Sequence, residues 1–126
     1  MPKSQEVSQS TAPFEADIKD PAKPFALMVQ FQVREGSQEA LEAAFRKATV
    51  ATRHDQGVLA YSLNRDARNS TRYVVFERWR GLADLEAHLQ TPHVTELAAV
   101  MGPLLDGAPE FRVLLPAEGD AEQRRG

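Results

Sequence analysis

The sequence predicts an α+β fold: one antiparallel sheet of four strands with helices covering one face. Three observations carry that prediction. Residues 25–33 alternate, with Phe25, Leu27, Val29, Phe31 and Val33 on one side, the period of a strand lying on a core. Leu41, Ala44, Phe45, Ala48 and Ala51 recur at helical spacing. The apolar segments after them run strand, strand, helix, strand. The chain therefore reads as two strand-helix-strand halves, the ferredoxin-like βαββαβ order. Right-handed crossovers place the first and third strands side by side in the middle of the sheet.

Taken in order, residues 1–23 are polar, contain three prolines and read as a flexible N-terminal arm. Phe14 and Ile18 could anchor that arm on a partner. The folded domain is expected over residues 24–116. After the first strand, Arg34-Glu35-Gly36 turns the chain, and Ser37 is placed to cap a helix running to about Arg53. Asp55-Gln56-Gly57 is a second turn. It leads into a strand over 58–64 with Leu59, Tyr61 and Leu63 on one face. A polar loop, 66–70, precedes the third strand, 72–79, which is apolar on both sides: Val74 and Phe76 against Tyr73, Val75 and Trp79. Gly81 follows, then Leu82, Leu85 and Leu89 at i, i+3 and i+7 of a short helix. Thr91-Pro92 restarts a helix carrying Val94, Leu97, Ala98 and Met101, which Gly102-Pro103 should break or kink. Phe111, Val113 and Leu115 form one face of the last strand, and residues 117–126 read as a frayed, charged tail.

Composition excludes several classes. A chain of 126 residues is one domain's worth. A net charge of −3 offers no basic field for nucleic acid or an anionic membrane. The absence of cysteine removes disulfides, thiolate metal sites and a thiol nucleophile, and fits a cytoplasmic location. No apolar run approaches the ~20 residues of a membrane span, and the N-terminus lacks the apolar core of a signal peptide. The apolar back of the third strand, with Met28 beside it, needs a cover. A second copy of the chain is the simplest one, so a homodimer is expected.

Chemistry-bearing residues concentrate in 71–93. Trp79 ends a central strand, and Glu77 lies two residues earlier on the same face. Trp79 is either a core residue with its N–H satisfied or the wall of a pocket for a flat ligand. His88 sits at the edge of the Leu82-Leu85-Leu89 stripe and suits a general base. His93 enters the next helix beside Thr91-Pro92 and could also touch a ligand. As a metal pair the two histidines are badly spaced, with no third ligand evident, so no metal is expected. Phosphate loops and serine nucleophile elbows are absent from the sequence.

The run from Phe76 to His93, FERWRGLADLEAHLQTPH, resembles the hallmark of the antibiotic-biosynthesis-monooxygenase-like family. The segment DQGVLAYSL, Asp55 to Leu63, is similar to that family's second-strand entry. The resemblance covers residues 25–115. It implies a dimeric α+β barrel, with a ligand cavity between sheet and helices into which Trp79 would point. Haem-degrading members carry an Asn in the first strand and a Trp and a haem-ligating His in the second helical region. Here those positions are Val29, His88 and Ala98, which argues against haem. Polyketide oxygenases carry an Asn four residues before the Trp, where this chain has Val75. The quinol-monooxygenase-like or signal-processing-like branch is then the nearest match.

The function expected on that basis is cofactor-independent monooxygenation of a small hydroxylated aromatic or quinol, with His88 as base. Tyr61, Asn64 or Trp79 would donate to the phenolate oxygen. An isomerase or processing enzyme on a small keto-acid or lactone, and a non-catalytic ligand-binding dimer, are the alternatives.

Overall fold

The computed structural model describes residues 4–118. Its elements are β1 (Phe25–Gln32), α1 (Gln38–Thr52), β2 (Val58–Arg65), β3 (Arg72–Trp79), α2 (Leu82–Leu89), α3 (Pro92–Leu104) and β4 (Glu110–Leu114). The strands form one antiparallel sheet in the order β2-β3-β1-β4, so β1 and β3 are central as the crossover argument requires. The frayed-tail expectation falls mostly on residues 119–126, which lie outside the described ones.

Odd-numbered residues of β1 and β3 face the helices. Phe25, Leu27, Phe31, Tyr73, Val75 and Trp79 are all buried there. Phe31 stacks between Tyr73 and Phe45, with ring centroids 5.8 and 6.1 Å away. This aromatic column ties the sheet to α1, and pairs of this kind add about 0.5–1.5 kcal/mol beyond burial. Even-numbered residues make the outer face, where Met28 opposes Phe76 and Gln30 opposes Val74. That face is a narrow apolar strip flanked by polar side chains.

Three local details depart from the sequence reading. Ser37 makes no side-chain cap; the Gln38 side chain instead accepts the Gly36 N–H at 2.8 Å. A bulge at Leu59 lets both Val58 and Tyr61 pair with inward-facing partners, Trp79 and Glu77. Val58, and not Leu59, therefore packs on the core. Finally, α3 runs through Gly102-Pro103 to Leu104. Proline so close to the end sacrifices little of the helix ladder.

The largest departure is the N-terminal arm. Residues 4–23 run along the domain instead of leaving it. They form a 3₁₀ turn over Ala12–Asp17, and Phe14 and Ile18 are buried against the chain's own Phe25, Leu27 and Trp79. Two apolar side chains suffice to hold an otherwise polar segment because each fully buried one contributes about 1.5–3 kcal/mol. A partner is not needed to cover them.

Candidate active site

Between the sheet and α3 lies a cavity of about 80 Å³, lined mostly by apolar side chains, with Tyr61, Glu77 and His88 as its polar corner. Each of the three is delivered by a different element. Tyr61 comes from β2 opposite Glu77 of β3. His88 comes from the buried side of α2, where it shares the interior with Leu85. The stripe edge assigned to His88 by spacing is thus its centre, and the imidazole is only 3% exposed.

Burial of an imidazole needs a polar partner. Asp55 supplies it from the turn after α1. Its backbone N–H donates to Thr52 O, and the turn is completed by Gly57 at φ +80°. A side chain at Gly57 would also collide with Asp84. The Asp55 Oδ2 accepts from His88 Nδ1 at 2.7 Å and from His93 Nε2 at 2.8 Å. His93 reaches it from the first turn of α3, whose N-cap is Thr91. One carboxylate therefore orients both imidazoles. With His88 Nδ1 donating to Asp55, its Nε2 is the nitrogen left to accept a proton.

The spacing argument against a histidine pair is corrected here. His88 and His93 are brought together, and the missing third group is Asp55; one ligand atom from each lies within 4.8 Å of the others. The three could hold a divalent ion. Among themselves they already form a closed hydrogen-bonded set.

Trp79 does not line the cavity. It is fully buried, packs against His88 with centroids 4.6 Å apart and ring planes tilted by 40°, and donates its Nε1 proton to Glu77 Oε1 at 2.8 Å. It thus positions both proton-carrying groups from behind and has no N–H left for a ligand. Asn64 is also misplaced by the sequence reading. It pairs with Val74 on the outer face and bonds to Val74 O and Ser62. Of the three nominated donors, only Tyr61 reaches the cavity, with its ring 5.7 Å edge-on from His88. Val29 and Val75 line the cavity floor, while His93 stays behind Asp55. Glu77 and Asp55 were read only as a strand residue and a turn residue. A carboxylate at an inward-facing register beside the Trp was the one available signal.

Electrostatics separates the groups. Burial raises Glu77 from 4.5 to about 7, against the opposing Trp79 hydrogen bond. Burial lowers His88 below the ordinary 6.5, opposed by Asp55 and assisted by His93. Burial, then Glu77 and Asp55, push the Tyr61 phenol far above 10. At neutral pH the corner therefore offers an unprotonated imidazole, a carboxyl shared between acid and anion, and a phenol that keeps its proton.

A four-stranded α+β domain with a proton-handling cavity on its helix side defines the class. The particular family follows from comparison. The antibiotic biosynthesis monooxygenase family model matches residues 24–100, and the chain belongs to that family. A Mycobacterium tuberculosis protein, Rv0793, named as a candidate monooxygenase, is 30% identical over 95 residues, covering 75% of this chain and 93% of its own. Its solved structure superposes with a TM-score of 0.72 at 29% identity, over 79% of this chain and all of that one. The Pseudomonas aeruginosa protein PA3566 gives 0.69 at 28% identity, over 76% of this chain and 96% of its own. No helix among the described residues is long and apolar enough to cross a membrane.

Proposed function

We propose that the cavity binds a small hydroxylated aromatic, of the phenol or quinol class, and activates it for direct reaction with O₂. The observation that carries this reading is the convergence of an unprotonated imidazole with two hydroxyl-type donors in one apolar cavity. His88 Nε2 takes the phenolic proton. Tyr61 and the acid form of Glu77 donate hydrogen bonds to the oxygen on which charge develops. A phenol near 10 and an imidazole below 6.5 are separated by more than about 3.5 units, roughly 5 kcal/mol. An apolar wall alone would widen that gap, so the two donors are what make the transfer feasible.

The electron-rich anion gives one electron to O₂, and the resulting pair recombines as a carbon-bound peroxide. Loss of water leaves a quinone, so that phenol plus O₂ becomes quinone plus H₂O: one oxygen atom stays in the quinone, the other leaves as water, and the four electrons that reduce O₂ all come from the substrate. Neither flavin nor metal takes part in this scheme. The family relationship and the naming of the mycobacterial relative support the reading. A second copy covering the Met28–Val74–Phe76 strip belongs to the same proposal.

The same corner would also serve a keto–enol isomerisation, since that reaction needs a base and an oxygen-directed donor but no O₂. Oxygen consumption with a panel of phenols and quinols separates the two. Uptake of one O₂ per quinone formed, above autoxidation, is the expected result. Turnover that proceeds equally under nitrogen would move the assignment to the isomerase, and no turnover at all to a binding protein.

A further inference from the structure

The family domain begins at residue 24, and the mycobacterial structure is matched along its whole length by only 79% of this chain. Residues 4–18 lie outside the region of family similarity, yet Val7, Ser8, Ser10 and Phe14 line the cavity. We infer that this N-terminal strap is the size filter of the site, a wall that restricts the ligand to a single aromatic ring. The inference deepens the phenol reading and rests on it for the choice of ligand only.

The strap is seated by contacts suited to that task. Gln5 N donates to Gly102 O at 3.0 Å. A methyl group at Gly102 would stand 2.8 Å from both Gln5 O and Ser4 Oγ, so the close approach depends on glycine in the last turn of α3. Gln9 Nε2 donates to Leu89 O at 2.9 Å and to Thr95 Oγ1 at 2.8 Å, bridging α2 and α3. Gln90 Nε2 returns a bond to Gln9 O at 2.7 Å. At the far end Leu82 N donates to Pro21 O at 2.9 Å, where Gly81 admits a second close approach.

Between these ties the segment holds the cavity to about 80 Å³. That is roughly half of the ~150 Å³ apolar cavity known to admit benzene. Even one ring therefore requires the strap to shift outward, and two fused rings require it to leave. Gln9 is half-buried and its bonds are polar, so this wall yields before the sheet or α3 does.

The test compares phenol and 2-naphthol by calorimetry under nitrogen, so that no turnover is needed. The proteins are the full-length chain, Gln9→Ala, and the Gln9→Ala/Gly102→Ala double variant. Alanine suits a helix better than glycine, so only the strap resists the second change. Opening the strap should raise 2-naphthol affinity relative to phenol about tenfold, as extra apolar carbons find room. A rise of about threefold or more in that ratio supports the size filter. A ratio that stays within that limit in both variants overturns it, and so does a failure of either ligand to bind any of the three proteins. Gln9→Ala alone, which leaves the helix untouched, decides the matter if the double variant does not fold. A changed ratio without oxygen uptake would retain the filter and remove the oxygenase reading.

Discussion

Two parts of the cavity lining differ in chemistry. One comes from residues 55–93, within the region of family similarity, and places Tyr61, Glu77 and His88 at the cavity with Asp55 and His93 behind them. The other is the strap, outside that region, contributing Val7, Ser8, Ser10 and Phe14 and no ionisable side chain. Proton handling requires tight geometry on rigid elements, and a sheet with two packed helices provides it. Choice of ligand size requires only a wall that can shift, and a polar segment pinned by a few hydrogen bonds provides that. Variation can then act on ligand choice without disturbing the imidazole, its carboxylate or the buried glutamate.

If that division is right, changes on the 55–93 wall should alter rate and pH dependence, and changes on the strap should alter ligand size alone. His88→Ala carries the largest expected effect. It should reduce turnover by about 10²–10⁴, the range of a positioned general base, measured as oxygen uptake at saturating substrate. The acid limb of the wild-type pH profile should fall below the ordinary 6.5, because burial holds His88 neutral.

Glu77→Gln should act on stability as well as on rate. The folded protein holds the Glu77 proton to about pH 7, whereas the unfolded chain releases it near 4.5. Native Glu77 binds more protons across that interval, so wild-type stability falls relative to the variant as pH rises from 4.5 to 7. At pH 8 the neutral amide should be more stable by about 3 kcal/mol, while below pH 4 the two should converge. Denaturant titrations at both pH values read this directly. On the rate side the alkaline limb near pH 7 should disappear.

Asp55→Asn comes next, at about a hundredfold in turnover, because an amide can present the wrong partner to His88 Nδ1 and admit the unproductive tautomer. A merely structural aspartate would leave the imidazole's titration in place; NMR of the His88 ring should show it moved. The smallest expected effect is that of metal removal. Chelation followed by gel filtration should leave turnover within about twofold, since the His88–Asp55–His93 set is satisfied by its own hydrogen bonds. A stoichiometric ion whose loss ends activity would make those three residues ligands.

Most of the fold was legible because it rests on periodicity. The alternation in β1 and the dense apolar run in β3 fixed the central strands, and the stripe of α1 fixed the covered face. Local exceptions escaped for equally local reasons. The Leu59 bulge inserts one residue and shifts the face of everything before it, and no composition marks it. Only part of the site was readable. His88 and Tyr61 do lie at the cavity, but Trp79 was assigned to the wall when it stands behind it, and Asn64 was one residue out of phase with the inner face. Asp55 was hidden because its meaning arises only when the α1–β2 turn meets α2 and α3, contacts 33 and 38 residues away in sequence. The strap was hidden by its polarity. Average composition called it free, while two buried side chains and two glycines elsewhere in the chain decide where it lies.

The central claim is that the 55–93 wall lowers the proton affinity of a bound phenol. An anaerobic absorption titration of a bound phenol tests it with no reaction in the way. The phenolate band is followed from pH 5 to 11 in wild type and in Tyr61→Phe, with folding checked by circular dichroism. In the wild type the bound phenol should ionise about two or more units below its free value near 10, with most of that shift lost in Tyr61→Phe, which removes a donor to the phenolate oxygen. A bound phenol that ionises at or above its free value in the wild type would contradict the account, because the cavity would then behave as plain apolar surroundings.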